Sequence, residues 1–476
     1  MKLVLGKRSA ALGLGIGVFG FFCLTSSPDP ALSDAGWRAI GLALLMGIWW
    51  VTECLPIPVT ALVPLAVTPL LGLGSGAGIS GSYAHPLIFL FLGGFLLSLA
   101  MERSQLHRRV ALATMLVVGS SPRAQVGGAM LVSAFLSMWI SNTATAVMMT
   151  PIALSLIALN AEKDGNQGLS VAMLLGVAYG ASIGGMATLI GTPPNALLAA
   201  YLNESYGMRI GFSQWMILGV PFSAILLAFA WYWLTRRLPS SGNGQGFRKF
   251  LLEERRAMGP ASSHQRRVGL VFALAAFTWV FRAPIAALMG VDFSDTTVAI
   301  VAGIALFVIP NGEGQGKALL EWKATEKLPW GILLLFGGGL ALARIIADSG
   351  LSEYIGHLFA MMQGYEKVYF VLVVTAVIVF LTEITSNTAT AAAFLPLLGP
   401  IALAVGLGPA ELAIPAALAA SCAFMMPVAT PPNAIVFASG ELRISQMMRA
   451  GLLLNLVCII LITLLSLILI PVVFNH

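Results

Sequence analysis

Of the 476 residues, 58% are hydrophobic and only 10% are charged, and a mean hydropathy of +0.90 leaves too little polar surface to cover a soluble globule of this length. The composition therefore excludes a soluble domain and predicts an all-α polytopic membrane protein. The net charge of +6 falls in short basic clusters between apolar spans, where it orients the chain in the membrane and does not form a nucleic-acid footprint.

In chain order, Lys2, Lys7 and Arg8 precede an apolar run from Ala10 to Leu24, read as a retained first helix because no small-x-small cleavage site follows. The connector from Ser26 to Gly36 carries Asp29 and Asp34 and belongs outside. Gly36 to Val51 returns to the cytoplasm, Val59 to Leu73 goes out, an uncharged Gly-Ser loop follows, and His85 to Met101 delivers the basic cluster from Glu102 to Arg109 inside. Val126 to Leu159 is long and apolar, yet its centre holds Ser137, Ser141, Asn142, Thr143 and Thr145. Such polar density at mid-depth predicts a broken helix or a hairpin that turns back within the protein. Gly168 to Ala200 carries Thr192-Pro193-Pro194-Asn195, and the two prolines predict a second interruption there. Ser213 to Leu234 returns inward to the basic stretch Arg236 to Arg267, the longest hydrophilic segment and a cytoplasmic linker. Beyond it, Val268 to Ala287 runs outward, Thr296 to Ile309 inward, and a polar, amphipathic cytoplasmic stretch leads to Lys327. Trp330 to Ile346, Val368 to Phe380, a second motif region, Ala413 to Phe437 and Leu452 to Val473 follow. With ~20 residues to a span, this gives about eleven transmembrane helices plus two re-entrant helical hairpins, the N-terminus cytoplasmic and His476 outside.

Three phrases recur in order. Leu92-Gly93-Gly94-Phe95 matches Phe336-Gly337-Gly338-Gly339, Ser141-Asn142-Thr143-Ala144-Thr145 matches Ser386-Asn387-Thr388-Ala389-Thr390, and Thr192-Pro193-Pro194-Asn195 matches Thr430-Pro431-Pro432-Asn433. The offsets, 337 − 93 = 244, 386 − 141 = 245 and 430 − 192 = 238, mark a duplicated half. Because the first half enters from outside and the second leaves from inside, the predicted organisation is an N-terminal helix over 1–35, a first inverted repeat over 36–235, a cytoplasmic linker over 236–267 and a second inverted repeat over 268–476.

An Asn amide can ligate a hard cation through its oxygen and donate to an anion through its nitrogen. A helix beginning at Thr143 or Thr388 would aim free amides and a positive dipole end at an anion, and carbonyls freed near Thr192-Pro193 and Thr430-Pro431 suit sodium. Neither phrase holds a Lys or Arg, so the anion would be held by hydrogen bonds, dipoles and co-bound cations. Ser137 and Thr382 each lie four residues before the motif serine (141 − 137 = 4, 386 − 382 = 4), on the same helix face, suitable for one cation. Against this, isolated hydroxyls in membrane helices commonly bond their own backbone, and paired glycines commonly serve close packing; it is the duplication that favours function. Glu383 is either a proton relay or an acceptor for a helix end, and Arg282 snorkels or caps. The four cysteines (Cys23, Cys54, Cys422, Cys458) are small buried apolar residues and not a metal or disulfide set. The five histidines fall near span ends or in connectors, which leaves Ser141 without a base and argues against an enzyme.

At these phrases the sequence resembles the divalent anion:sodium symporters, carriers of dicarboxylates, citrate or sulfate, over nearly the whole chain from Gly36 to Val473. The resemblance implies a homodimer whose protomers each have a dimerising scaffold and an elevator-like transport part, with Na+ as coupling ion and no organic cofactor. It implies a first sodium site at Ser137, Ser141, Asn142 and the Gly191 carbonyl, and a second at Thr382, Thr385, Asn387 and the Ala429 carbonyl. Substrate carboxylates would meet Asn142, Thr143 and Thr192 on one side and Asn387, Thr388 and Pro431 on the other. The expected activity is sodium-coupled symport of a small dianion such as succinate, malate or fumarate across a bacterial-type inner membrane. A sodium-independent exchanger and a sulfate carrier remain alternatives, with a channel or an intramembrane enzyme as outsiders.

Overall fold

The computed structural model describes residues 2–164, 167–239, 245–314, 316–362 and 364–474, so His476 lies outside the described residues. α1 (Lys2–Leu24) packs along α2 (Asp34–Thr52), which begins where the Ser33 hydroxyl accepts from the Gly36 amide. The span expected over Val59 to Leu73 is instead two short pieces, α3 (Ile57–Thr60) and α4 (Val63–Leu71), because Pro64 has no amide to carry the ladder across from Thr60, and Gly72, at φ 68, ends the second piece. The Gly-Ser segment expected as a loop winds into α5 (Gly76–Ser82), capped by Ser75. Then come α6 (Pro86–Arg103), α7 (Leu106–Val117), α8 (Pro122–Ser137), α9 (Asn142–Asp164), α10 (Gln167–Gly185), α11 (Pro193–Tyr206) and α12 (Phe212–Thr235).

The linker is not uniformly hydrophilic: it carries α13 (Gln245–Ala257), which buries Phe247 and Leu251 and packs on α7 and α9. α14 (Ser263–Val280) bends by 85° into α15 (Arg282–Met289), so the span expected to run straight to Ala287 is an elbow. After α16 (Asp295–Val308) the stretch expected to be polar and amphipathic forms no α-helix among the described residues. Gly312, Gly314 and Gly316 all hold positive φ, which a right-handed helix forbids, and only a 3-10 turn over Trp322–Lys327 precedes α17 (Trp330–Asp348). α18 (Leu351–Ala360), α19 (Lys367–Leu381), α20 (Asn387–Ala404), α21 (Pro409–Ala420), α22 (Pro431–Phe437) and α23 (Ile444–Val473) complete the chain. Eight of the described helical stretches are long and apolar enough to cross a bilayer, nine counting the bent pair.

Long-range contacts sort the helix ends into two sets. At one end, Arg108 meets Glu254 at 2.5 Å, Arg123 donates to the Leu238 carbonyl at 2.8 Å and Gln265 donates to the Ser104 carbonyl at 2.9 Å, which gathers the ends of α6 and α12 with the linker. At the other, Glu204 stands 3.7 Å from Arg344 and 4.0 Å from His85, and Ser33 donates to the Ser349 carbonyl at 3.0 Å. α6 runs from His85 towards the linker end. α17 starts beside the linker end, where the 3-10 turn before it packs on α6, and finishes at Arg344 beside Glu204, so the two glycine-paired helices run in opposite directions. Their glycines serve close packing: a Cβ on Gly93 would lie 2.5 Å from the Ala299 carbonyl oxygen, and one on Gly338 would lie 2.5 Å from that of Ala61. Arg282, expected to snorkel or cap, instead pairs with Asp295 at 2.9 Å, which also accepts from the Phe212 amide at 2.8 Å and ties α12 to the elbow.

Candidate substrate and cation site

The first Ser-Asn-Thr phrase lies at the tip of a hairpin. Gly176 of α10 abuts Val126 and Met130 of α8, and Gly184 abuts Ala134, so α8 and α10 run parallel. Asn142, the first residue of α9, lies against Gly185 at the end of α10, so α9 runs against both. The second half repeats the arrangement. Lys367 pairs with Glu411 at 3.6 Å where α19 and α21 begin, and the Thr382 hydroxyl reaches the Ala420 carbonyl at 2.8 Å where they end. α20 returns between them. In both copies helix starts at the Asn, one residue before the expected Thr: α9 at Asn142 and α20 at Asn387. Ser141 and Ser386 take the cap positions, and the Ser141 hydroxyl accepts from the Ala144 amide at 3.2 Å.

The Thr-Pro-Pro-Asn phrases do not break the helices where the prolines stand. Pro193-Pro194 and Pro431-Pro432 open α11 and α22, where a missing amide costs nothing, and the break precedes them, over 186–192 and 421–430. The fourth letter holds each break together. Asn195 donates to the Thr188 carbonyl at 2.8 Å, and Asn433 donates to that of Met426 at 3.0 Å, the same spacing of seven residues (195 − 188 = 7, 433 − 426 = 7). Asn195 also reaches the Gly185 carbonyl at 3.4 Å and Asn433 that of Ala423 at 3.2 Å. Sequence reasoning quoted both residues and gave them no role; the repeat of the fourth letter was the available signal.

Glu383 proves to be an acceptor. Its carboxylate takes the amides of Phe424 (2.7 Å), Met425 (2.9 Å) and Met426 (2.9 Å), and the side-chain amide of Asn455 at 2.7 Å. It thereby anchors the broken segment of the second half to α23. The first half has Met138 at the corresponding position (383 − 245 = 138) and no carboxylate there. The two breaks touch across the halves, where the Tyr179 hydroxyl donates to the Phe424 carbonyl at 2.9 Å and Cys422 lies 3.8 Å from Met186.

The hairpin tips and breaks enclose one cavity of about 920 Å³. All six residues expected to bind substrate (Asn142, Thr143, Thr192, Asn387, Thr388 and Pro431) line it, and the hydroxyls of Thr143 and Thr388 make no bond among the described residues. Of the residues expected to hold sodium, Ser141, Gly191, Thr385 and Ala429 also line it, whereas Ser137 and Thr382 are fully buried behind it.

The residues present fit a hard cation at the first hairpin. Ser137 Oγ and Asn142 Oδ1 are buried without a partner. Asn142 Oδ1 and the Gly191 carbonyl oxygen lie 2.7 and 3.0 Å from where a Cβ of Gly185 would be, and the Gly185 and Ser137 carbonyls face Gly191. Two amide nitrogens also approach, Asn142 Nδ2 at 3.0 Å from the same point and Asn195 Nδ2 at 3.4 Å from the Gly185 carbonyl, and the oxygens they leave over are what sodium neutralises. At the second hairpin the Thr382 hydroxyl sits between Asn387 Oδ1 (2.7 Å) and the Ala420 carbonyl (2.8 Å). One hydrogen cannot serve both acceptors, so this point too is rich in unsatisfied oxygen. The Thr385 hydroxyl is engaged elsewhere, with Thr390 at 2.6 Å and the Leu381 carbonyl at 2.9 Å.

With this geometry in view, the sodium:sulfate symporter transmembrane region matches residues 9–474. The chain belongs to this family. It is 39% identical over 477 residues to a sodium-dependent dicarboxylate transporter, SdcS, of Staphylococcus saprophyticus, covering 97% of this chain and 91% of that one. It is 39% identical over 460 residues to the protein of the same name from Staphylococcus aureus, covering 93% and 88%. Among solved structures, the Alcanivorax borkumensis YdaH transporter is similar in fold, with a TM-score of 0.61 at 15% identity over 90% of this chain and 98% of that one. Members of the sodium:sulfate symporter family are transporters, and the protein is a multi-pass membrane transporter and not an enzyme, with Na+ as its coupling ion.

Proposed function

We propose that the protein is a sodium-coupled symporter of small dicarboxylates such as succinate, malate and fumarate. The observation that carries this reading is the single cavity lined by both Ser-Asn-Thr phrases, with partnerless oxygens buried directly behind it. In this reading Asn142, Thr143 and Thr192 hold one carboxylate and Asn387, Thr388 and Pro431 the other. Ser137, Ser141, Asn142 and Gly191 hold one sodium ion, and Thr382, Thr385, Asn387 and Ala429 a second. Cation binding draws Asn142 Oδ1 and Asn387 Oδ1 inward and leaves their NH2 groups to donate to the dianion, which couples the two ligands through one side chain. The segments 36–235 and 268–476 act as inverted repeats flanking the linker, a reading supported by the opposed directions of α6 and α17. The hairpins are re-entrant and move with α10–α12 and α21–α23 as an elevator within each protomer of a homodimer.

The test is uptake of radiolabelled succinate into proteoliposomes with and without a sodium gradient. Saturable uptake that disappears when choline replaces sodium is expected. Undiminished uptake in choline makes the protein an exchanger, and uptake of sulfate in place of succinate makes it a sulfate carrier.

The protein would lie in the inner membrane with the linker and the N-terminus in the cytoplasm, because Arg108, Arg109, Arg123, Arg255, Arg256 and Arg266 gather at the linker end. Ser263 is exposed at that end, and Cys23 is the one cysteine among the described residues not fully buried. A Ser263→Cys variant in a Cys23→Ser background should stay unlabelled by an impermeant maleimide in intact cells and react after permeabilisation. Labelling of intact cells would reverse the orientation.

A further inference from the structure

The binding phrases carry no fixed charge, yet the same cavity has one charged edge. Among the described residues, its ionisable lining consists of Glu53, Glu102 and Lys327. They come from the last residue of the 3-10 turn (Lys327), the last turn of α6 (Glu102) and the residue that ends α2 (Glu53), and all three face the hairpin tips from the linker end. Lys327 is exposed and Glu102 half-buried, and the 3-10 turn that carries Lys327 packs against α6, which carries Glu102. Lys327 is placed firmly: the turn that ends in it is closed by the Thr325 hydroxyl donating to the Trp322 carbonyl at 2.7 Å, and Trp330 donates to the Thr325 carbonyl at 2.9 Å. Leu328, Pro329 and Ile332 line the cavity beside it, so the positive end of the α17 dipole lies on the same lip. Glu53, at φ 47, is the left-handed C-cap that ends α2, which sets it on the same rim.

We propose that Lys327 forms an encounter subsite for one carboxylate of the incoming or departing dianion, and that Glu102 sets its strength by competing for the same ammonium group. The inference rests on the dianion reading above and deepens it. The inner wall binds only through hydrogen bonds, and Lys327 is the one cation among the described residues lining the cavity, so it offers a passing carboxylate a short-range pairing on a low-dielectric rim where two carboxylates otherwise repel it. Lys327 therefore governs how readily the dianion is captured, and the hairpin tips govern how tightly it is held. Glu102 and Glu53 favour cations at the same mouth, so a Lys327 pairing with the dianion leaves the carboxylates free for sodium.

The signature is a pair of opposite effects that salt removes. Initial rates are measured on reconstituted wild-type, Lys327→Gln, Lys327→Arg and Glu102→Gln proteins at saturating sodium, at low and at high ionic strength, with labelled succinate and in parallel with labelled sulfate. Lys327→Gln should raise KM roughly threefold to tenfold at low salt with kcat unchanged, Lys327→Arg should restore it, and Glu102→Gln should lower KM. At high salt the differences should shrink towards none, because the Debye length falls to a few ångströms. Equal shifts at both salt concentrations, a loss of kcat alone, or the same direction for Lys327→Gln and Glu102→Gln would each overturn the proposal. Since the charge of Lys327 acts on any dianion, a wild-type protein that carries sulfate and not succinate refutes the substrate assignment and still lets the effect of Lys327 be read on sulfate.

Discussion

Glu383→Gln is expected to destabilise the protein by about 3–5 kcal/mol and to reduce transport at every pH, because a buried acceptor hub loses half its capacity. The carboxylate accepts from three consecutive backbone amides and from Asn455, with Oε1 and Oε2 both engaged. A glutamine keeps one accepting oxygen and turns an NH2 group towards amides that can only donate. Segment 421–430, which brings Ala429 and Thr430 to the cavity, then loses its anchor on α23. The checks are the melting temperature of the purified variant and its uptake from acid to neutral pH. A proton relay would behave differently: the Gln variant would melt with the wild type and lose only the pH dependence of transport. That pattern would refute the anchoring role.

The second large effect is expected at Gly185. A methyl group there would sit 2.7 Å from Asn142 Oδ1 and 3.0 Å from the Gly191 carbonyl oxygen, in the space those oxygens leave for a cation. Gly185→Ala should raise the sodium concentration for half-maximal uptake tenfold or more, a loss of about 1.4 kcal/mol or greater, beside a destabilisation of about 1–3 kcal/mol from overpacking that a melting temperature taken without sodium measures separately. The matching position in the second half by the Thr-Pro-Pro-Asn offset (185 + 238 = 423) already carries an alanine, so Ala423→Gly serves as the control and should leave sodium dependence near wild type. Equal sodium dependence in wild type and Gly185→Ala would remove the cation from the first hairpin and leave Ser137 Oγ and Asn142 Oδ1 as packing defects.

Much of the site was legible because it is written twice. A phrase recurring at a fixed offset marks two equivalent positions whatever the fold around them, and polar residues in the middle of an apolar run mark a broken helix because a bilayer offers freed backbone groups no partner. The class and the interrupted segments in each half followed from those two facts, and the resemblance to the divalent anion:sodium symporters implied the six cavity residues. Local rules misled where a residue's role depends on its place in a turn. The double prolines were read as breakers and are helix openers, since the first turn of a helix has amides to spare. The Gly-Ser segment was read as a loop and is α5.

The sequence by itself determined the membrane class, the duplication and the letters of the site, because hydropathy and repetition are properties of neighbours along the chain. Tertiary structure alone decided what meets what. Glu383 takes amides 41 to 43 residues away, Tyr179 bonds a carbonyl 245 residues away, and Lys327 reaches the same cavity as Asn142 from the other half of the chain. No periodicity encodes such distances. They arise when helices from both halves pack so that their apolar faces are buried and their few polar groups must find partners in the one place left without lipid.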